Sequence, residues 1–151
     1  MSHASKAPSP EVIDQPINAF RRERLIRFSD CDPAGIVFFP QYFVMFNGLV
    51  EDWVNEDLGV GYQQLVIERR VGLPTVSLQA DFVAPSKMGD VVTLSLSVAR
   101  LGTKSLTLDL RCDGADGPRV KFRQVLVTTS LETHRAIDLP ADLREAIERF
   151  A

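Results

Sequence analysis

The stretch from Pro40 to Leu58 restricts the fold more than any other part of the chain. Phe43, Phe46, Val50, Trp53 and Val54 recur at helical spacing, while Tyr42, Val44, Met45 and Leu49 widen the apolar surface almost all round the first half. A helix apolar on most sides has to be buried. Pro40 suits its first position, where a missing N–H costs nothing, and Gly59 suits its C-terminal stop. The later turns carry Glu51, Asp52, Asn55, Glu56 and Asp57, so that end reaches solvent. Whatever surrounds this helix must wrap it.

The rest of the chain supplies the wrapping. Arg22 to Phe28 reads as a strand. In Thr75 to Phe82, Val91 to Ala99 and Ser105 to Cys112, apolar and polar residues alternate, as in half-buried strands. Val120 to Leu131 is a longer strand whose apolar register shifts between Phe122 and Val125, which predicts a bulge or bend. The links Lys87 to Asp90, Leu101 to Thr103 and Asp113 to Gly117 are short and contain glycine, so each should join antiparallel neighbours. Pro140 to Phe150 closes the chain as a short helix with Leu143, Ile147 and Phe150 on one side. The expected fold is α+β: a curved antiparallel sheet folded round one long helix. A single helix cannot cover a large sheet, so the chain should pair with a second copy. Residues 1–19, with Pro8, Pro10 and Pro16 and no apolar period, read as a mobile tail, leaving 20–151 as one domain.

Composition removes several chemistries. Seventeen Lys and Arg against twenty Asp and Glu give a net charge of -3, a poor match for a dedicated nucleic-acid binder. Two cysteines and two histidines, without CxxC or HExxH, are too few for a Cys/His zinc site. Distant cysteines suit reduced thiols in the cytoplasm. Neither a signal-like apolar run nor a membrane-spanning segment is present. There is no GxSxG, no Walker sequence and no full dinucleotide fingerprint. His134 reads as a surface residue and Cys31 as a packed thiol without a basic partner.

The dense cluster that remains is Ser29-Asp30-Cys31-Asp32-Pro33-Ala34-Gly35-Ile36-Val37-Phe38-Phe39-Pro40. Asp30 and Asp32 are ordinary turn formers on one reading. On the other, a carboxylate held near the free N–H groups of a buried helix start is half of a hydrolytic site. The N–H groups would polarise a carbonyl while the carboxylate attacks or activates water.

The segment DCDPAGIVFFPQYF resembles the signature of the 4-hydroxybenzoyl-CoA thioesterases of the hotdog-fold superfamily, Pseudomonas-type branch. The resemblance continues through Gly72 to Ser77, Asp81 to Val83, Lys104-Ser105 and Ile137 to Asp142, and spans about Arg22 to Glu145. It implies a helix wrapped by an antiparallel sheet and hydrolysis of an acyl-CoA thioester without a cofactor, CoA being part of the substrate. Asp32 would be nucleophile or general base, and the N–H of Phe39 would hold the carbonyl oxygen. Sites of this family form between subunits, which implies a homodimer, extending to a homotetramer. Thr75 and Ser77 are then substrate-binding candidates by position, a structural role being the competing reading. Lys104 matches a basic residue that meets the nucleotide phosphates, a solvated loop charge being the competing reading. Gly102 and Thr103 stand where a member of the family has two arginines, and Arg100 is the nearest compensation. Phe39 replaces an aromatic hydroxyl, so a less polar aryl group or a short acyl chain fits that position.

Three alternatives stay open at this level. The domain could be a non-catalytic acyl-CoA-binding regulatory module, which would keep Lys104 but not need Asp32. Hotdog hydratases pair a carboxylate with a histidine, and none lies near this turn. Glu51 could be the active carboxylate, against the plainer reading that it is solvated.

Overall fold

The computed structural model describes residues 15–151; residues 1–14, most of the expected tail, lie outside the described residues. The remainder of that tail is tied to the sheet. Gln15 donates from Nε2 to Ser95 Oγ (3.0 Å) and accepts from Ser97 Oγ (2.8 Å), and Asn18 donates to the carbonyl of Phe150 (2.9 Å).

Seven strands and two α-helices follow: β1 (Phe20–Leu25), α1 (Pro40–Glu56), β2 (Val71–Gly72), β3 (Thr75–Phe82), β4 (Val91–Leu101), β5 (Ser105–Gly114), β6 (Gly117–Val127), β7 (Thr129–Ser130) and α2 (Ala141–Phe150). Five strands form one sheet in the order β1-β4-β5-β6-β3, antiparallel throughout. β2 and β7 make a separate pair. The expected α+β hotdog architecture is the one observed.

The packing follows from the patterning. Tyr42, Met45, Phe46, Leu49, Val50, Trp53 and Val54 of α1 are buried. They meet Val92, Leu94 and Leu96 of β4, Leu106, Leu108 and Leu110 of β5, and Val120, Phe122 and Leu126 of β6 in one core. Each large side chain so buried contributes about 1.5–3 kcal/mol. α2 lays Leu143, Ala146 and Ile147 on the same core, and Phe150 meets Trp53 edge-on with centroids 5.3 Å apart. Gly59, at φ +66, ends the segment after α1 as expected of a C-terminal glycine.

Four sequence expectations need correction. β1 ends at Leu25, because Ile26 turns into the core and Phe28–Asp30 forms a 3-10 turn. β3 and β4 are not neighbours. Their link crosses the end of the sheet, stitched by Val83 N–H to the Arg119 carbonyl (2.8 Å), Val37 N–H to Ser86 (2.9 Å) and Gly89 N–H to Ile26 (2.8 Å). β6 stops at Val127, and Thr129–Ser130 leaves to pair with Val71–Gly72. The predicted bulge in β6 is absent, its register against β3 and β5 running unbroken from Phe122 to Val125. The apolar pattern breaks there because Gln124, a polar residue, occupies an inward position. The bulge lies on β3 instead: Val76 is the extra residue between Thr75, opposite Leu126, and Ser77, opposite Val125.

Candidate active site

The loop between β1 and α1 is folded back on itself. Asp32 donates its N–H to the carbonyl of Ile36 (3.0 Å) and accepts the N–H of Gly35 (2.9 Å). Gly35 takes φ +77, a conformation that a side chain would resist. The two carboxylates of the cluster have different environments. Asp30 is buried, bonded to Arg24 Nη2 (3.0 Å) and to the N–H of Arg27 (2.9 Å), while its carbonyl accepts the N–H of Phe38 (2.9 Å). It holds the loop together, each of its oxygens already engaged. Asp32 is half-buried and accepts the N–H of Ala34 at Oδ1 (2.8 Å). Its Oδ2 takes no hydrogen bond from the described residues. Asp32 is thus a turn former with one oxygen to spare.

Phe39 precedes α1 with helical angles, φ -51 and ψ -37. Gln41 and Tyr42 bond back to the carbonyls of Phe38 (2.8 Å) and Phe39 (3.2 Å), and Pro40 has no N–H. The N–H of Phe39 has no acceptor among the described residues. It is a donor at the positive end of a buried helix, suited to an oxyanion.

From Phe39 an aromatic wall runs along α1. Phe39 meets Phe43 at 6.2 Å, Phe43 meets Phe122 at 5.4 Å, and Phe46 meets Phe122 at 4.8 Å between centroids. Beside it, α1, β3 and β6 enclose a cleft of about 360 Å³, lined by Phe43, Val44, Asn47, Thr75, Leu78 and Gln124 among others. The β3 bulge turns Thr75 toward this cleft, where its Oγ1 accepts Gln124 Nε2 at 2.7 Å. Ser77 lies opposite Val125 on the outward register of β6, so within one chain it does not share the cleft. Neither Asp32 nor Phe39 lines it.

The basic residues gather at the β4–β5 hairpin. Lys104 Nζ sits 3.0 Å from Asp138 Oδ1, with both side chains largely in solvent. Arg100 is exposed and makes no ion pair among the described residues. Sequence reasoning missed Arg144, whose guanidinium reaches from α2 to the carbonyls of Gly102 and, at 3.4 Å, Thr103. Nothing in the local pattern of α2 signals which surface that side chain will meet.

The competing groups are poorly placed for catalysis. Burial, followed by the charges of Asp30 and Asp32, raises the Cys31 thiol, which disfavours a thiolate. Cys112 is fully buried, and its thiol is pushed up to about 12, chiefly by burial. Glu51 and His134 are exposed, the latter at φ +59. Among the described residues no group of three or more His, Cys, Asp or Glu could hold a metal, and no helix is long and apolar enough to cross a membrane.

An antiparallel sheet round a long buried helix, entered by a loop that carries a turn carboxylate and ends on an open N–H, is the architecture of a hotdog domain. The chain belongs to the thioesterase-like superfamily, whose pattern matches residues 26–147. It is 32% identical over 131 residues to a 4-hydroxybenzoyl-CoA thioesterase of Pseudomonas sp. strain CBS-3, covering 82% of this chain and 93% of that one. A 1,4-dihydroxy-2-naphthoyl-CoA hydrolase of Synechocystis is 25% identical over 133 residues, covering 87% and 96% of the two chains. Among solved structures, a thioesterase-superfamily protein of Jannaschia sp. CCS1 superposes with a TM-score of 0.82 at 26% identity, covering 89% of this chain and 94% of that one.

Proposed function

We propose that this protein hydrolyses the thioester bond of an acyl-CoA with an aromatic acyl group. The observation that carries the reading is the pair formed by the spare oxygen of Asp32 and the unbonded N–H of Phe39, at the two ends of one hydrogen-bonded loop. The relatives' activities on aryl-CoA esters support the substrate class. The thioester carbonyl accepts the N–H of Phe39. Asp32 either removes a proton from water as the water oxygen attacks the carbonyl carbon, or attacks that carbon itself to form an anhydride that water then opens. Collapse breaks the C–S bond and CoA leaves as a thiolate, so no strong acid, metal or cofactor is needed. The oxyanion is held more strongly than the ground-state carbonyl, which is the catalytic gain.

The reading includes a second copy of the chain. β3 is a sheet edge with Val76, Leu78, Phe82 and the following Val83 all more than 40% exposed. An exposed apolar edge of this kind calls for a partner. Pairing of two β3 strands would bury it and bring the partner's surface over Asp32 and Phe39, making a homodimer able to pair again into a homotetramer. Lys104, with Arg100 and Arg144 nearby, would meet the CoA phosphates. The two free thiols suit a cytoplasmic location, and nucleic acid is not a partner of this acidic chain.

The test is thiol release from a panel of aryl- and alkyl-CoA esters by wild type, Asp32→Asn and Glu51→Gln. The proposal expects activity on aryl esters, lost in Asp32→Asn with binding retained. Full activity of Asp32→Asn with a dead Glu51→Gln moves the site to α1. Binding without hydrolysis across the panel makes the protein a regulatory acyl-CoA-binding module. After a single turnover in ¹⁸O-water, label in the Asp32 carboxylate identifies it as the nucleophile of an anhydride that water opens at the aspartyl carbonyl.

A further inference from the structure

Gln124 stands in the wrong place for a purely structural residue. The inward positions of β6 around it, Val120, Phe122 and Leu126, are apolar and buried, and Gln124 is itself only 7% exposed. Its Nε2 is satisfied by Thr75, but its Oε1 is buried with no partner. An unpaired buried amide oxygen is costly, and a leucine in the same position would pack without that cost. The bulge at Val76 adds a second irregularity to the same spot, since it is what turns Thr75 inward to hold the carboxamide. Both features converge on the cleft between α1, β3 and β6, next to the ring wall of Phe43 and Phe122.

We infer that Gln124, oriented by Thr75, is a specificity-determining residue: its unpaired carboxamide end bonds a hydroxyl group carried by an acyl ring lodged along the Phe43–Phe122 wall. The inference rests on the thioesterase reading and deepens it. An unsubstituted ring leaves the amide unpaired and is rejected; a hydroxylated ring satisfies it. The contact does not depend on which end of the carboxamide faces the cleft, because a hydroxyl both donates and accepts.

The test compares kcat/KM for benzoyl-CoA, 3-hydroxybenzoyl-CoA and 4-hydroxybenzoyl-CoA in the full chain and in its Gln124→Leu and Gln124→Met variants. Methionine keeps the length of the side chain if leucine disturbs folding. Wild type should prefer at least one hydroxylated ester by about 10-fold or more, and the ratio should collapse toward one in both variants. A melting temperature that stays level or rises in Gln124→Leu while selectivity is lost separates this role from a structural one. Absence of preference in wild type, or a preference that survives both variants, overturns the inference. If wild type cleaves no ester, the thioesterase reading fails. Calorimetric affinities for the same three esters then test Gln124, with a hydroxyl preference lost in both variants supporting it and any other pattern overturning it.

Discussion

The ring of Phe39 at the start of α1 meets the ring of Phe82 at the end of β3 edge-on, with centroids 6.0 Å apart and planes at 81°. Both rings remain about half exposed, at 53% and 50%. The contact sets the Phe82 end of the free sheet edge against the residue whose N–H is unbonded. A surface that covers β3 therefore also dries the space in which the oxyanion would form, and a low-dielectric space strengthens that hydrogen bond. Pairing of two chains through β3 would couple assembly to catalysis through these two rings.

That coupling predicts the behaviour of an edge variant. Val76 is 60% exposed on the bulge of β3, and a lysine there is the usual way to block edge pairing. Val76→Lys should shift the protein from dimer to monomer in light scattering. It should also lower kcat/KM by at least about 10-fold, with the secondary structure intact by circular dichroism. A variant that stays dimeric and fully active would place the interface elsewhere.

Asp30 and Asp32, two residues apart, should fail in opposite ways. Asp32→Asn keeps an oxygen to accept the N–H of Ala34, so the turn survives. Turnover should fall by roughly 10²–10⁴-fold, the range for a lost general base, with little change in melting temperature. Asp30→Asn weakens buried bonds to Arg24 and to the backbone of Arg27 and should cost about 1–3 kcal/mol of stability. Its remaining activity per folded molecule should stay near wild type. Denaturant unfolding and steady-state kinetics on both variants check this, and the reverse pattern would exchange the roles of the two residues.

The fold was legible wherever burial alone decides the pattern. The α1 helix and the inward leucines of β4 and β5 follow from apolar periods of 3.6 and 2 and lie where expected, whereas β3 forms where its alternation places it but leaves Val76, Leu78 and Phe82 exposed on the single chain. The errors arose where a polar residue is buried or a tertiary bond decides. Gln124 breaks the period of β6 without breaking the strand, because its amide is held by Thr75 across the sheet. The link from β3 to β4 resembles a hairpin in composition, yet its backbone bonds to Ile26, Val37 and Arg119, partners remote in sequence. In the candidate site, DCDPAG identified the loop but not the division of labour between its carboxylates. That division depends on Arg24, whose strand position gives no hint of its partner.

The hairpin cations give a salt-dependent prediction. Lys104 already has Asp138 at 3.0 Å, an exposed pair of little worth to stability. Lys104→Ala should leave the melting temperature nearly unchanged. The KM for a CoA ester should rise by roughly 3–10-fold in dilute buffer, and the effect should shrink as salt screens the phosphate contact. Free thioesters that lack the nucleotide should be cleaved equally well by both proteins. A KM effect independent of salt would remove Lys104 from the nucleotide site.

The last prediction concerns acid. The guanidinium of Arg119, nearly buried, bonds Asp90 (2.9 Å), Asp116 (2.8 Å) and the carbonyl of Pro85 (2.9 Å), locking the β3–β4 link to the β5–β6 turn. The backbone N–H of Lys87 and then Arg119 hold the Asp90 carboxyl below its ordinary value of 3.8, and Arg119 does the same for Asp116. A carboxyl lowered in the folded chain adds stability that is fully present above its unfolded value. That stability drains away as pH falls through the folded one. Arg119→Met should therefore melt well below wild type at about pH 7, and the gap should narrow as pH drops below the ordinary carboxylate value toward about pH 3. Part of the Asp90 shift should survive in the variant, because the Lys87 amide remains. A gap that stays constant across this range would mean that Arg119 acts through packing of its stem and not through the two acids it bridges.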